Sequence, residues 1–208
     1  MIPLKNMPNA RRSDLLLIAN MVTPGARILD VGCGDGALLE MLSQERRVDG
    51  RGMEISQNGV NACVTRGLSV IQGDADIDLK TYPDDGFDFV ILSQTIQATR
   101  NPKHVLEELM RIGRRVIISF PNFGYWRVRL SLGIGGHMPM TSALNQPWYV
   151  TPNIHFCTVS DFLNLCDEMD VRIEQAYAQS RTGKIYPFSR PVLFANLLAE
   201  EAILLLSR

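Results

Sequence analysis

Three glycines, two aspartates and a cysteine fall within the seven residues Asp30-Val31-Gly32-Cys33-Gly34-Asp35-Gly36. Glycines at this density let a backbone approach a ligand closely, and a helix that starts where they end offers free N–H groups with partial positive charge. Both features suit a nucleotide-like ligand. Gly32, Gly34 and Ala37 also satisfy the loose GxGxxA pattern of dinucleotide sites, so the glycines alone leave the ligand open. The carboxylates narrow it. Asp30 and Asp35 repel a pyrophosphate but can receive an ammonium group. Glu54 stands 20 residues after Gly34, where an acid ending the next strand binds two ribose hydroxyls. A charge-assisted hydrogen bond of that kind contributes roughly 1.5–3 kcal/mol. Asp74, in Gly73-Asp74-Ala75-Asp76, can accept the amino group of adenine.

These residues describe a ligand with an adenosine and an aminoacyl tail but no phosphates. S-adenosylmethionine or S-adenosylhomocysteine fits, and NAD fits less well. The expected contacts are Asp30, Gly32, Cys33, Gly34, Asp35, Gly36, Glu54, Ile55, Asp74, Ala75 and Ser93, with Ser93 and Gln94 facing the same crevice. Cys33 is read as a small backbone-contact residue, because no neighbouring His or Lys would lower its pKa.

The elements that must position these residues follow from periodicity and punctuation. Ser13 reads as the cap of a helix that runs to about Met21 and is stopped by Thr23-Pro24-Gly25, and Arg27–Val31 as a buried strand. Leu38, Met41 and Leu42 make the apolar stripe of the next helix. Strands are expected over Val48–Ile55, Leu68–Gln72, Phe87–Leu92 and Val116–Phe120. Helices are expected over Asn58–Arg66, with Gly67 as its C′ residue, and from Pro102 onwards, with Asn101 as cap and Gly113 as the C′ residue that turns the chain out. That alternation implies βαβ units, hence an α/β, Rossmann-like fold with a mainly parallel sheet of seven strands and helices on both faces.

From Asn122 to about Cys157 the rhythm breaks into a loop-rich insertion rich in Gly and Pro, with both tryptophans, Trp126 and Trp148. Loops of this length inside a compact domain are usually functional or disordered, and the aromatic content argues against disorder. Thr158, three residues before Asp161, starts a helix with a capping-box pattern. Val171–Ala178 and Val192–Leu198 are expected as closing strands and Glu200–Leu206 as a short terminal element. One domain over 1–208 is the economical reading.

Composition sets the outer limits. The 208 residues carry 21 Lys plus Arg against 22 Asp plus Glu, a net charge of −1. Neutrality argues against general nucleic-acid binding, which needs a basic excess. The densest basic trio, Arg111, Arg114 and Arg115, reads as a solvated helix end. An apolar content of 46% excludes wholesale disorder. No apolar run approaches the ~18 residues of a membrane span, and Leu15–Val22 reads as an amphipathic helix rather than a signal peptide. The four cysteines, Cys33, Cys63, Cys157 and Cys166, lack CxxC spacing, so neither disulfides nor zinc is expected and a cytoplasmic location fits.

Asp30 to Gly36 with Glu54 and Asp74 resembles the class I S-adenosylmethionine-dependent methyltransferases. A narrower resemblance lies in Ser93-Gln94-Thr95-Ile96-Gln97-Ala98, Phe120-Pro121-Asn122-Phe123-Gly124, Trp126-Arg127-Val128-Arg129, Met138-Pro139, Trp148-Tyr149, Thr151-Pro152-Asn153-Ile154-His155-Phe156-Cys157-Thr158 and Asn196-Leu197-Leu198. These stretches, from about Arg11 to the C-terminus, are similar to the methionine biosynthesis MetW family. Against the family pattern, Val150 stands where Asp or Asn is usual, His137 where Arg is, and Ser56 where Asp is common.

The resemblance implies an accessory subunit that binds and activates a homoserine O-acyltransferase, with a retained S-adenosylmethionine site. The other reading is a methyltransferase acting on a small molecule. No residue is singled out as catalytic. His155 is the candidate base, and Gln94 an acceptor-side candidate beside Tyr125, Trp126, His137, Trp148 and Tyr149. Taken singly, these histidines and tryptophans fit structural or interface roles as well. Neither a nucleic acid nor a membrane is expected as partner.

Overall fold

A computed structural model describes residues 13–208. The expected first helix is present, with Ser13 as its first described residue, and the part of the N-terminus before it lies outside the described residues. The chain runs α1 (Ser13–Met21), β1 (Arg27–Val31), α2 (Ala37–Arg46), β2 (Asp49–Glu54), α3 (Gln57–Thr65), β3 (Val70–Gln72), β4 (Phe87–Ser93), α4 (Pro102–Ile112), β5 (Gly113–Pro121), α5 (Trp126–Gly133), α6 (Val159–Glu168), β6 (Arg172–Gln179), β7 (Ile185–Pro187), α7 (Leu193–Leu198) and β8 (Glu201–Ser207). The strands form one sheet in the order β3-β2-β1-β4-β5-β8-β6-β7. The five at the β3 end are parallel, and β8 enters antiparallel between β5 and β6.

Period-two alternation divides each central strand between two layers. Val90, Leu92, Val116, Ile118, Phe120, Leu204 and Leu206 pack under α4 and α6. Phe89, Ile91, Ile117, Ile203 and Leu205 pack under α1 and α2. Both faces are therefore covered, and these strands read as continuous apolar runs. The Phe120 and Phe162 rings, 4.7 Å apart, join β5 to α6.

Helix signals act as their chemistry demands. Asn101 accepts a hydrogen bond from the His104 N–H ahead of Pro102, and Thr158 and Asp161 exchange the reciprocal bonds of a capping box. Ser56 caps α3, a role open to Ser and Asp alike. Gly67 ends α3 with φ +74°.

Four expectations are corrected. The sheet has eight strands rather than seven, because the short β7 pairs with β6 at the edge. Val192–Leu198 is not a strand: Leu193–Leu198 is helical and none of its residues is buried. The terminal element is a full strand with six of its seven residues buried. Short apolar runs do not distinguish a buried strand from a helix by periodicity, and here placement decides. Gly113 does not make a left-handed turn after α4. It is extended and opens β5, where a Cβ would lie 2.6 Å from Val90 Cγ2.

The insertion between β5 and α6 contains α5 and then irregular chain. Arg111 bonds Glu108 and Asp84, Arg114 lies 3.7 Å from Asp88 and Arg115 pairs with Glu174, so each arginine of the basic trio faces a carboxylate. No helix among the described residues is long and apolar enough to cross a membrane. All four cysteines are free thiols.

Candidate functional site

The site forms at the carboxyl ends of the parallel strands, where ligands gather in open α/β sheets. Gly32, Gly34 and Gly36 all adopt positive φ, at +72°, +59° and +81°. At Gly32 the need is also steric, because a Cβ would stand 2.6 Å from Thr95 Oγ1. The Gly32 and Cys33 N–H groups donate to Met53 O, at 2.8 and 3.1 Å, which fixes the loop against β2. Glu54, buried at the end of β2, accepts from Gly34 N at 2.9 Å and from Ser56 N at 2.8 Å.

Beyond the loop lies a cavity of about 310 Å³ whose walls include Gly32, Ile55, Asp74, Ala75, Thr95 and Arg100. Of the expected contacts, Gly32, Ile55, Asp74 and Ala75 line it, while Gly34 and Glu54 are joined to each other by the bond just described. Asp30 is 2% exposed, and its Oδ2 has no hydrogen-bond partner. Burial, with the Glu54 charge adding to it, pushes the Asp30 carboxyl up to about 7. A buried carboxylate oxygen without a donor is costly, and an ammonium group is the donor that offsets most of that cost. Positive-φ glycines, a buried acid that lacks a donor and a second acid at the end of β2 fit an aminoacyl adenosine ligand.

Other expected residues lie elsewhere. Asp35 turns outward and pairs with Arg66 at 2.8 Å. Cys33 is buried 3.8 Å from Cys63 Sγ, and desolvation, with the Asp30 charge, keeps its thiol well above its usual range, so it is no thiolate nucleophile. Ser93 and Gln94 both meet Ser119: the Ser93 hydroxyl lies 2.9 Å from Ser119 Oγ, and the Gln94 N–H donates to that oxygen at 3.2 Å. Gln94, at φ +56°, hydrogen-bonds Glu201 in a separate cavity of about 450 Å³ that also includes Asp14, Arg181 and Glu200. Burial raises the Asp14 carboxyl to about 6; burial, then the Asp14 charge, raises that of Glu201.

The structure does not bring His155 and Gln94 together. His155 lines neither cavity, and its Nε2 lies 3.2 Å from Arg100 O. Its backbone N–H and that of Ile154 both donate to Gln97 O, at 3.0 and 2.9 Å. Gln97 is itself buried and donates from Nε2 to Pro121 O at 2.9 Å and to Cys157 Sγ at 3.2 Å. The insertion is thereby bonded to the loop 95–100 that walls the smaller cavity.

Arg100 escaped the sequence reading. Its guanidinium pairs with Asp74 and its backbone N–H donates to Asp76 at 2.9 and 3.0 Å. The available signal was its place in the loop after β4, a ligand-facing position in such sheets. Among the described residues, no group of three or more His, Cys, Asp or Glu is placed to share a metal ion.

Solved structures share this architecture. A Mesorhizobium loti S-adenosylmethionine-dependent methyltransferase superposes with a TM-score of 0.69 at 17% identity, covering 97% of this chain and 99% of its own. One from Archaeoglobus fulgidus gives 0.61 at 20% identity, covering 96% and 92%. The [4+2]-cyclase SpnF gives 0.65 at 17% identity, covering 96% and 81%. The fold is thus the class I S-adenosylmethionine-dependent methyltransferase fold, and SpnF illustrates that this fold alone does not fix an activity. In sequence, the bifunctional methionine biosynthesis protein MetXA/MetW of Rhodopirellula baltica is 33% identical over 202 residues, 92% of this chain. This chain spans about a third of that relative's length, 32%. The family model for methionine biosynthesis protein MetW matches residues 12–206, nearly the whole chain from the glycine loop through the insertion to β8, and the chain belongs to that family.

Proposed function

We propose that this chain is an adenosyl-ligand-binding accessory subunit of a homoserine O-acyltransferase. The observation that carries the ligand half is the buried Asp30 oxygen without a donor, set beside the positive-φ glycines. S-adenosylmethionine supplies, when bound, a sulfonium methyl group open to in-line displacement. In this reading Asp30 receives the ligand's ammonium group, Glu54 holds the ribose and Asp74 the adenine edge, while Gly32 admits the backbone to close approach. The partner half rests on the family resemblance and on a relative whose name joins MetXA to MetW.

The adenosyl ligand is a later product of the pathway, so its binding could report pathway output to the early acyl-transfer step. Such regulation requires different ligand affinities in the free and complexed states. Calorimetry that finds equal affinity in both would sink the feedback idea.

The larger cavity favours a second reading, catalytic methylation of a small molecule, because Gln94 lines it while the adjacent Thr95 lines the smaller one. One experiment separates the two. Acyl transfer and methyl transfer are assayed with and without the cognate acyltransferase. Stimulated acylation without methylation supports the accessory role, whereas methyl turnover with no effect on acylation supports the enzyme.

The ligand assignment has its own check. Glu54→Ala removes a charged acceptor, so S-adenosylhomocysteine affinity is expected to fall at least about tenfold with the fold retained. Unchanged affinity would refute the role of Glu54.

A further inference from the structure

From Ser131 to Ser160 the chain has thirty consecutive residues without an Asp, Glu, Lys or Arg. The same stretch exposes large apolar side chains. Nine of the nineteen such side chains among the described residues lie in it, from Leu132 to Phe156, with Trp148 70%, Tyr149 71%, Ile154 56% and Phe156 54% exposed. Four of them are connected: Met138, Met140, Trp148 and Phe156 share the walls of one groove of about 390 Å³ with the half-buried Phe123, and the Phe123 and Phe156 rings are 4.5 Å apart.

Scattered exposed apolar residues need no explanation, but a continuous patch rimmed by polar surface marks an interaction site. Charge depletion with Trp, Tyr and Met enrichment is the composition of an interface core, not of a solvated loop. A face with no charge to pair also restricts its partner, because a charged surface pressed against it would be desolvated without compensation.

We infer that the groove bearing Met138, Met140, Trp148 and Phe156, extended by the exposed Ile154 two residues before Phe156, is the surface on which the homoserine O-acyltransferase docks, through an uncharged apolar patch of its own. The inference rests on the accessory-subunit reading. The choice of occupant is argued from the relative that joins MetXA and MetW in one protein, of which this chain spans only 32%. The face lies on chain that is already tied to the ligand cavity. Ile154 points its side chain to solvent while its backbone N–H holds Gln97 O at 2.9 Å, and His155 repeats that bond at 3.0 Å. A partner seated on Ile154 therefore fixes the loop that carries Thr95 and Arg100, both in the cavity wall.

The test is calorimetric titration of the purified cognate acyltransferase with the full chain, wild type and three variants. Trp148→Glu and Ile154→Glu place a charge on the face. Phe194→Glu places one on α7, where Phe194 is 73% exposed. S-adenosylhomocysteine binding and the melting temperature report the fold, and Trp148→Ser and Ile154→Ser are the milder replacements should a charge disturb it. Partner affinity is expected to fall at least tenfold for the two face variants and to stay unchanged for Phe194→Glu. A wild type that binds, with face variants that bind equally well, overturns the docking surface and leaves the accessory reading standing. A wild type that does not bind overturns both. Sedimentation in which the wild-type chain alone is a dimer and Trp148→Glu a monomer assigns the face to a second copy and overturns the inference.

Discussion

Asp30→Asn is expected to raise the melting temperature at pH 7.5 while weakening S-adenosylhomocysteine binding at least about tenfold. The two effects share one cause. The carboxyl is 2% exposed with one oxygen lacking a donor, and burial raises it from its ordinary value of 3.8 to about 7. Between those values the folded chain keeps a proton that the unfolded chain has released. Stability is therefore greatest below the unfolded value, declines as pH rises through this window and stays at the lower level above about 7. Asparagine never ionises and is free of that decline. Ligand binding has the opposite sign, since pairing with an ammonium group requires the ionised carboxylate. Wild-type affinity is expected to fall about eightfold from pH 7.5 to pH 6, following the ionised fraction of a group near 7, and the asparagine variant to show no such slope. Calorimetry at the two pH values, with melts of both proteins, measures this. A flat wild-type affinity over that range would remove Asp30 from the ammonium site. The expected gain in stability at the expense of binding is the usual consequence of relaxing a strained functional group.

The parts of this protein legible in its sequence are those where one residue type has a single physical use. Gly32, Gly34 and Gly36 adopt positive φ, Asn101-Pro102 and Thr158 with Asp161 mark helix starts, and Phe87–Leu92 follows the turn signal Pro83-Asp84-Asp85-Gly86 that sets off a strand. Spacing from the glycine loop puts Glu54 at the end of β2. The illegible parts depend on where distant segments meet. Leu193–Leu198 and Ala202–Leu206 are both short apolar runs. One is an exposed helix because β8 already fills the slot between β5 and β6. The pairing of Arg100 with Asp74 joins the loops after β4 and β3, and Glu201 meets Gln94 across more than half the chain. No local pattern encodes either. The type of His155 suggests chemistry, yet its place is set by the backbone: Ile154 and His155 both donate to Gln97 O, and the ring's Nε2 lies 3.2 Å from Arg100 O.

The last prediction concerns how the insertion is held. Asn122, at the end of β5, is 1% exposed and uses all of its amide. Nδ2 donates to Asn196 O and Ala199 O, both at 2.9 Å. Oδ1 accepts from Gly124 N at 2.9 Å and from Val159 N at 3.2 Å. One side chain therefore joins the start of the insertion, the first turn of α6 and the last turn of α7. Asn122→Ala strands two buried carbonyls and two buried N–H groups, and each unsatisfied group costs roughly 1–3 kcal/mol. After partial relaxation a loss of about 3 kcal/mol is expected in urea unfolding at pH 7, a large single-residue effect. Asn122→Asp separates the donor half from the acceptor half. Its carboxylate keeps both N–H partners but sets an anion against two carbonyl oxygens, so it is expected to destabilise more than alanine at pH 7. Protonation returns one O–H donor, which places the folded pKa of the new aspartate above its unfolded value. The deficit of the aspartate variant relative to alanine is then expected to shrink as pH falls from 7 towards 5. An aspartate variant as stable as the wild type at pH 7 would mean that the two carbonyls have other donors. If instead the aspartate deficit follows pH as stated, the insertion's geometry is set by a neutral amide that no isosteric acid can replace, and the face it presents is as fixed as the interior strand from which it springs.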